Sequence, residues 1–144
     1  MKGKFKKFLI KIGVVVLLVV MIGGTIVSIK EKKESENAIH IVQSGVSKIN
    51  ENSNYKEAFE KYFTNLSWFT YKNSQGIRVV GFTAQRYMHD RNTMGDYEIS
   101  YIVDENTNTF KFYKGTCNRI ELNQLDMLKI TICAFDQADS VNNY

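Results

Sequence analysis

The chain has 144 residues, 44% hydrophobic and 24% charged, with no proline, which bounds it to one modest domain plus an appendage and excludes wholesale disorder. Nineteen basic against 15 acidic residues give a net charge of +4, yet Lys2, Lys4, Lys6, Lys7, Lys11 and Lys30 all precede the first acid, Glu31. The remainder is mildly acidic, so nothing points to a nucleic-acid-binding face.

The first element in chain order is a basic arm, residues 1–11, beginning MKGKFKK. Residues 12–29, IGVVVLLVVMIGGTIVSI, then run for eighteen positions without a charge. With Phe8, Leu9 and Ile10 they reach the ~20 residues needed to cross a bilayer core. The expected reading is an uncleaved transmembrane anchor. A cleaved secretory signal is the first alternative, although such apolar regions are usually ~7–15 residues long and end in a small-x-small site that is not found here. A buried core helix is the second. The Lys-rich arm stays in the cytoplasm by the positive-inside rule, placing everything after residue 29 outside the cell membrane. Gly13, Gly23 and Gly24 do not make a GxxxG packing motif.

Residues 30–37, KEKKESEN, read as a charged tether, and residues 38–138 as an extracytoplasmic α+β domain, with a tail at 139–144. Ala38, Val42, Gly45, Val46 and Ile49 recur at helical spacing and predict a first helix, ended by NENSN (50–54). Asn54 with Glu57 has the capping-box spacing. The spacing predicts a second helix over 55–64 with Ala58, Phe59, Tyr62 and Phe63 facing inward.

The periodicity then changes to two. Strands are predicted at 66–72, 77–88, 97–104 and 109–115, with inner faces Val80, Phe82, Ala84, then Ile99, Tyr101, Val103, then Phe110 and Phe112. Short connectors rich in Asn, Asp and Gly favour an antiparallel meander of four strands, covered on one face by helices. A last helix over 124–138 is capped by Asn123 and Asp126, with Leu125, Leu128, Ile132 and Phe135 as its inner stripe. The fold class is therefore α+β: anchor, helix, helix, four-stranded antiparallel sheet, helix.

The succession YKEAFEKYFTNLSWFTY, GIRVVGFTA and YEISYIVDENTNTFKFY resembles a group of small uncharacterised bacterial membrane-anchored or secreted domains. Their pattern is EAF…FF.N..W, then VVxFTG, then IxFxVD…TF, and the match would cover about residues 38–128. The resemblance implies a membrane-associated extracytoplasmic domain and implies no reaction. The chain departs from the pattern at Ala84, where Gly is usual, and in the loop after Met88.

Chemical motifs are scarce. His40 and His89 lack His or Cys companions at metal-ligand spacing. DENTN (104–108) opens like a calcium loop but has Thr109 at position six and Gly115 at position twelve, so it reads as a hairpin turn. No nucleophile elbow, zinc-protease, P-loop or dinucleotide motif occurs. No catalytic residue, cofactor or metal is expected, and the protein is not expected to be an enzyme. Cys117 and Cys133 are the two thiols. An outside location permits a disulfide between them, worth ~3 kcal/mol through loss of unfolded-chain entropy, while a free, buried Cys133 in KITICAF is the alternative.

The loop HDRNTMGD (89–96), bounded by Tyr87 and Tyr97, is long for a hairpin connection and carries both signs of charge. Tyr87, His89, Asp90, Arg91, Met94 and Tyr97 are the candidate partner-contact residues, against the bland reading of a polar loop without a partner. The functional expectation is a single-pass membrane protein displaying a protein-interaction domain to an envelope or secretion component. The alternatives are a small ligand-binding domain or enzyme, or a secretion or conjugation subunit.

Overall fold

The computed structural model describes residues 28–48 and 50–142. The arm, residues 12–27 of the expected anchor, Ile49 and the last two residues lie outside the described residues. Among the described residues no helix is long and apolar enough to cross a membrane. Two compact units divide after Ser35. The first shows an ion pair of Lys30 with Glu34, 3.9 Å apart, one helical turn along. Among the described residues, every strand lies in the second.

Helix α1 spans 28–43, so the charged tether is helical. It stops earlier than the spacing of Gly45, Val46 and Ile49 suggests. Ser44 Oγ turns back to the His40 carbonyl at 2.7 Å. Gly45 then runs so close to the Phe110 ring that a Cβ there would sit 2.4 Å from it, and Val46 is exposed. Two short strands come next, β1 (Val46–Ser47) and β2 (Asn50–Asn54), paired antiparallel. NENSN is thus a strand and not only a helix terminator.

Helix α2 (Tyr55–Tyr62) opens on the expected capping box. The Glu57 amide donates to Asn54 Oδ1 at 2.9 Å, and the Asn54 amide donates to the Glu57 carboxylate at 3.4 Å. The box satisfies two of the amides that a helix start leaves unpaired. Ala58, Phe59 and Phe63 are buried as expected, and Tyr62 is half-buried.

The main sheet is an antiparallel meander of five strands in chain order: β3 (Thr64–Lys72), β4 (Arg78–Met88), β5 (Thr93–Asp104), β6 (Thr109–Cys117) and β7 (Ile120–Glu121). The expected count of four omits β7. That strand is joined to β6 by the two-residue turn Asn118–Arg119, with φ of 51° and 67°, the left-handed pair that suits the twist of a tight hairpin.

The inner faces of β4 and β5 are as predicted: Val80, Phe82 and Ala84 pack beside Ile99, Tyr101 and Val103. A bulge in β6 shifts the alternation of its side chains. Tyr101 lies opposite Phe112 but Ser100 opposite Lys114, so Tyr113 is the extra residue. Beyond it Gly115 and Cys117, opposite Ile99 and Tyr97, take the helix-covered face.

Helix α3 (Gln124–Asn142) is capped by reciprocal bonds of Asn123 and Asp126 at 2.9 and 3.1 Å, and it continues through much of the expected tail. Of its predicted inner stripe, Phe135 is buried and Ile132 half-buried, but the leucines are not. Met127, Thr131, Ala134, Phe135 and Ala138 are buried, whereas Leu125 and Leu128 are 58% and 50% exposed. The 3, 4, 3 spacing suits a helix, but a stripe centred on the leucines is rotated from the face that meets the sheet.

Helices α2 and α3 are joined by polar contacts at their ends. Lys61 Nζ donates to the Ala138 carbonyl at 3.1 Å, and Gln137 Nε2 donates to the Lys61 carbonyl at 3.4 Å. The second satisfies a carbonyl in the last turn of α2, which a helix C-terminus leaves without an internal partner.

Candidate functional site

Strands β4 and β5 pair to their tips, with Met88 opposite Thr93 and Tyr87 opposite Met94. The expected eight-residue loop is therefore a four-residue turn, His89 to Asn92. The Arg91 amide donates to the Met88 carbonyl at 3.2 Å, and Asn92 adopts φ of 50°, a conformation Asn tolerates better than most residues. The Tyr87 hydroxyl bonds the Asn92 side chain, and its ring meets His89 edge to face at 5.0 Å. Asp90 and Arg91 form an exposed ion pair at 3.7 Å.

Five of the six candidate contact residues thus gather at one hairpin tip. Tyr87 and Met94, directly opposite one another, are 42% and 43% exposed on the face away from the helices. Tyr97 is the exception. An odd offset from Met94 puts it on the helix-covered face, where it packs on Phe63 at 5.1 Å.

On that covered side an open cleft of about 630 Å³ lies between the hairpin turn, β7 and the first half of α3. Tyr62, Arg86, His89, Tyr97, Cys117 and Lys129 are among its lining residues. Arg86 organises it. Its guanidinium carbon stands 3.3 Å from the centre of the Tyr62 ring, and Nη1 donates to the Tyr62 carbonyl at 2.9 Å and to Gln137 Oε1 at 3.4 Å. Sequence reasoning missed this residue. The signal was available, because Arg86 continues the inward phase of Val80, Phe82 and Ala84, and an inward cation on an apolar strand face requires partners.

Burial pushes the Tyr62 phenol above its ordinary value, with Arg86 pulling it down and Cys133 adding to the rise. Burial, then a hydrogen bond with Cys117, pushes Tyr97 up much further. Both phenols are therefore neutral hydrogen-bonding groups near neutral pH and not bases. Because the folded state holds these protons more tightly than the unfolded chain, their contribution to stability is complete below about pH 10, the ordinary tyrosine value, and is lost as pH rises beyond it. The urea midpoint is expected to fall between about pH 9 and pH 11, and Tyr97→Phe to lessen that fall. An equal fall in the variant would show that Tyr97 does not carry the effect.

Cys117 is half-buried, Cys133 is exposed and both are free thiols. The expectation of a buried Cys133 is corrected, since it is exposed although Thr131 and Ala134 nearby are buried, and its thiol bears on the Tyr62 phenol. His40 is exposed on α1. Among the described residues no three His, Cys, Asp or Glu side chains converge as a metal site would require.

The helix-free sheet face carries a second depression, about 850 Å³, that reaches Asn65, Gln85, Asp96 and Arg119. Its polar groups bond one another across the strands. Asn65 Nδ2 donates to Gln85 Oε1 at 2.7 Å, and Gln85 Nε2 donates to Asp96 Oδ1 at 2.8 Å. A row already bonded internally holds the sheet together more readily than it captures a ligand.

The chain matches no protein-family model, no curated protein and no solved structure.

Proposed function

We propose that this is a single-pass membrane protein that displays its α+β domain outside the cell membrane and acts there by contacting an envelope or secretion protein. The observation that carries the contact role is the hairpin tip. Tyr87 and Met94 stand exposed and side by side at the end of a continuous antiparallel ladder, residue types that interfaces favour, held on a rigid element. The eighteen-residue uncharged run behind a Lys-rich start supports the anchor.

Location has a native reporter. A membrane-impermeant maleimide added to intact cells is expected to label exposed Cys133, with Cys133→Ser removing the signal. Labelling that occurs only after lysis contradicts the outside placement. The contact role predicts that Tyr87→Ala combined with Met94→Ser costs about 1 kcal/mol of stability, the worth of a cross-strand pair, leaving the domain folded, while recovery of the co-purifying partner drops at least severalfold. Undiminished recovery contradicts it.

The cleft supports a second reading, a ligand-binding domain. Its volume of about 630 Å³ lies in the range of small-molecule sites, and Arg86 with two neutral phenols would orient a polar ligand. Saturable small-molecule binding lost in Arg86→Ala, with no protein partner recovered, would favour this reading over the first.

A further inference from the structure

Gly95 lies on β5 opposite Arg86, in the phase that Tyr97 and Ile99 turn to the helix-covered face. Its missing side chain leaves a space, and two sulfurs converge on it. A Cβ built on Gly95 would stand 3.2 Å from Met88 Sδ and 3.3 Å from Cys117 Sγ. The sulfurs are therefore no farther apart than those two distances laid end to end. Met88 and Cys117 both line the open cleft, and each is only half-buried, so an ion entering the cleft meets both residues.

The convergence is a product of the fold. Met88 comes last in the inward phase of β4, after Val80, Phe82, Ala84 and Arg86. Cys117 reaches the same face only because the bulge at Tyr113 shifts the alternation of β6. Tyr97 hydrogen-bonds Cys117, in the way that an outer-shell partner orients a metal ligand.

A thiolate beside a thioether is a soft donor set. Zn(II) takes four thiolate, imidazole or carboxylate ligands, and Mg(II) and Ca(II) take oxygen. Among the described residues no three His, Cys, Asp or Glu side chains meet to supply them. Cu(I), a soft monovalent cation with a filled d shell, is satisfied by two sulfurs. Bonds of about 2.3 Å, the length of a zinc–thiolate bond, are within reach of the pair, because the unbranched Met88 side chain adapts through three rotatable bonds.

We propose that Met88 and Cys117 form a Cu(I)-binding site in the cleft, with the ion held between thioether and thiolate. The Cys117 thiol gives up its proton on binding. The site shares the cleft with the ligand-binding reading but takes neither Arg86 nor a phenol as a ligand, so either can fail without the other. It does not depend on the contact role of the hairpin tip.

The test titrates Cu(I), kept reduced under nitrogen, into the full-length protein in detergent micelles. The chain carries Cys133→Ser, which removes the exposed thiol. Affinity is read by competition with a chromogenic Cu(I) chelator, and location by the Met88 methyl resonance, identified with Met88→Leu. Cu(I) is expected to shift that resonance saturably, and Zn(II) to leave it in place. Loss of a ligand should cost at least the roughly 10- to 100-fold in affinity that loss of an outer-shell partner does. Cys117→Ser and Met88→Leu, the latter a volume-conserving exchange, should each weaken Cu(I) binding by that much or more. The Met88 shift is read with both ligands intact and so does not depend on how either variant folds. A Met88 methyl unmoved by Cu(I), an affinity unchanged by Met88→Leu, or an equal shift with Zn(II) overturns the proposal.

Discussion

Phe59→Ala is expected to destabilise the domain by about 3–5 kcal/mol, the cost of emptying a fully buried aromatic site. Phe59 is wholly inaccessible and lies where α2 meets the sheet. Its ring centre is 4.9 Å from Phe82, 5.4 Å from Tyr55 and 5.9 Å from Phe63. Truncation leaves a void bounded by rings that cannot all relax inward, because each is also held by others. Single domains carry about 5–15 kcal/mol in total, so the variant should sit close to unfolding. Urea denaturation followed by Trp68 fluorescence checks this at the right place, since Trp68 packs on Phe82 at 5.2 Å. A lower midpoint with an unchanged slope is expected. A loss below about 1 kcal/mol would place the core elsewhere.

Gly81→Val should have the second largest effect, by crowding instead of emptying. Gly81 lies within β4, paired to Phe69 on β3 and Ser100 on β5. A Cβ there would meet the Phe69 ring at 2.5 Å and the Ile99 carbonyl oxygen at 2.8 Å. The ring can swing aside. The carbonyl cannot, because it belongs to the backbone of the neighbouring strand. Overpacking of this kind costs about 1–3 kcal/mol, and the strand preference of valine, within a scale of about 1 kcal/mol, does not offset it. Phe69→Ala in the same chain is expected to recover only the ring's share, so the two substitutions should be non-additive. Full recovery in the double variant would show that the carbonyl contact relaxes freely.

These positions also show what the sequence could convey. Phe59, Phe82, Ile99 and Tyr101 announced themselves through period, because 3.6-residue and two-residue repeats map directly onto one face of a helix or strand. The Asn54–Glu57 and Asn123–Asp126 caps were legible for a related reason, both being local contacts set by spacing alone. Non-local facts were not legible. NENSN has too little apolar content to announce a strand, and it becomes one by pairing with Val46 and Ser47. The β6 bulge at Tyr113 moves Cys117 onto the covered face, a shift that depends on register with β5. The α3 stripe misled because Leu125 and Leu128 outrank Met127 and Thr131 in hydrophobicity, while burial followed the face that met the sheet.

Tyr87, His89, Asp90, Arg91 and Met94 do meet, since they neighbour one another across a single turn. Tyr97 is separated from them by strand alternation, and Arg86 and Tyr62, which shape the adjoining cleft, come together only through the packing of α2 on the sheet.

The contact role of the hairpin tip is tested most directly by a photo-crosslinking residue at position 94 of the full-length protein in its native cells, with position 60 on the exposed surface of α2 as the control. One discrete protein adduct from position 94, absent from position 60 and lost on Tyr87→Ala, is the result expected. No adduct from position 94, or the same adducts from both positions, would contradict the proposed role.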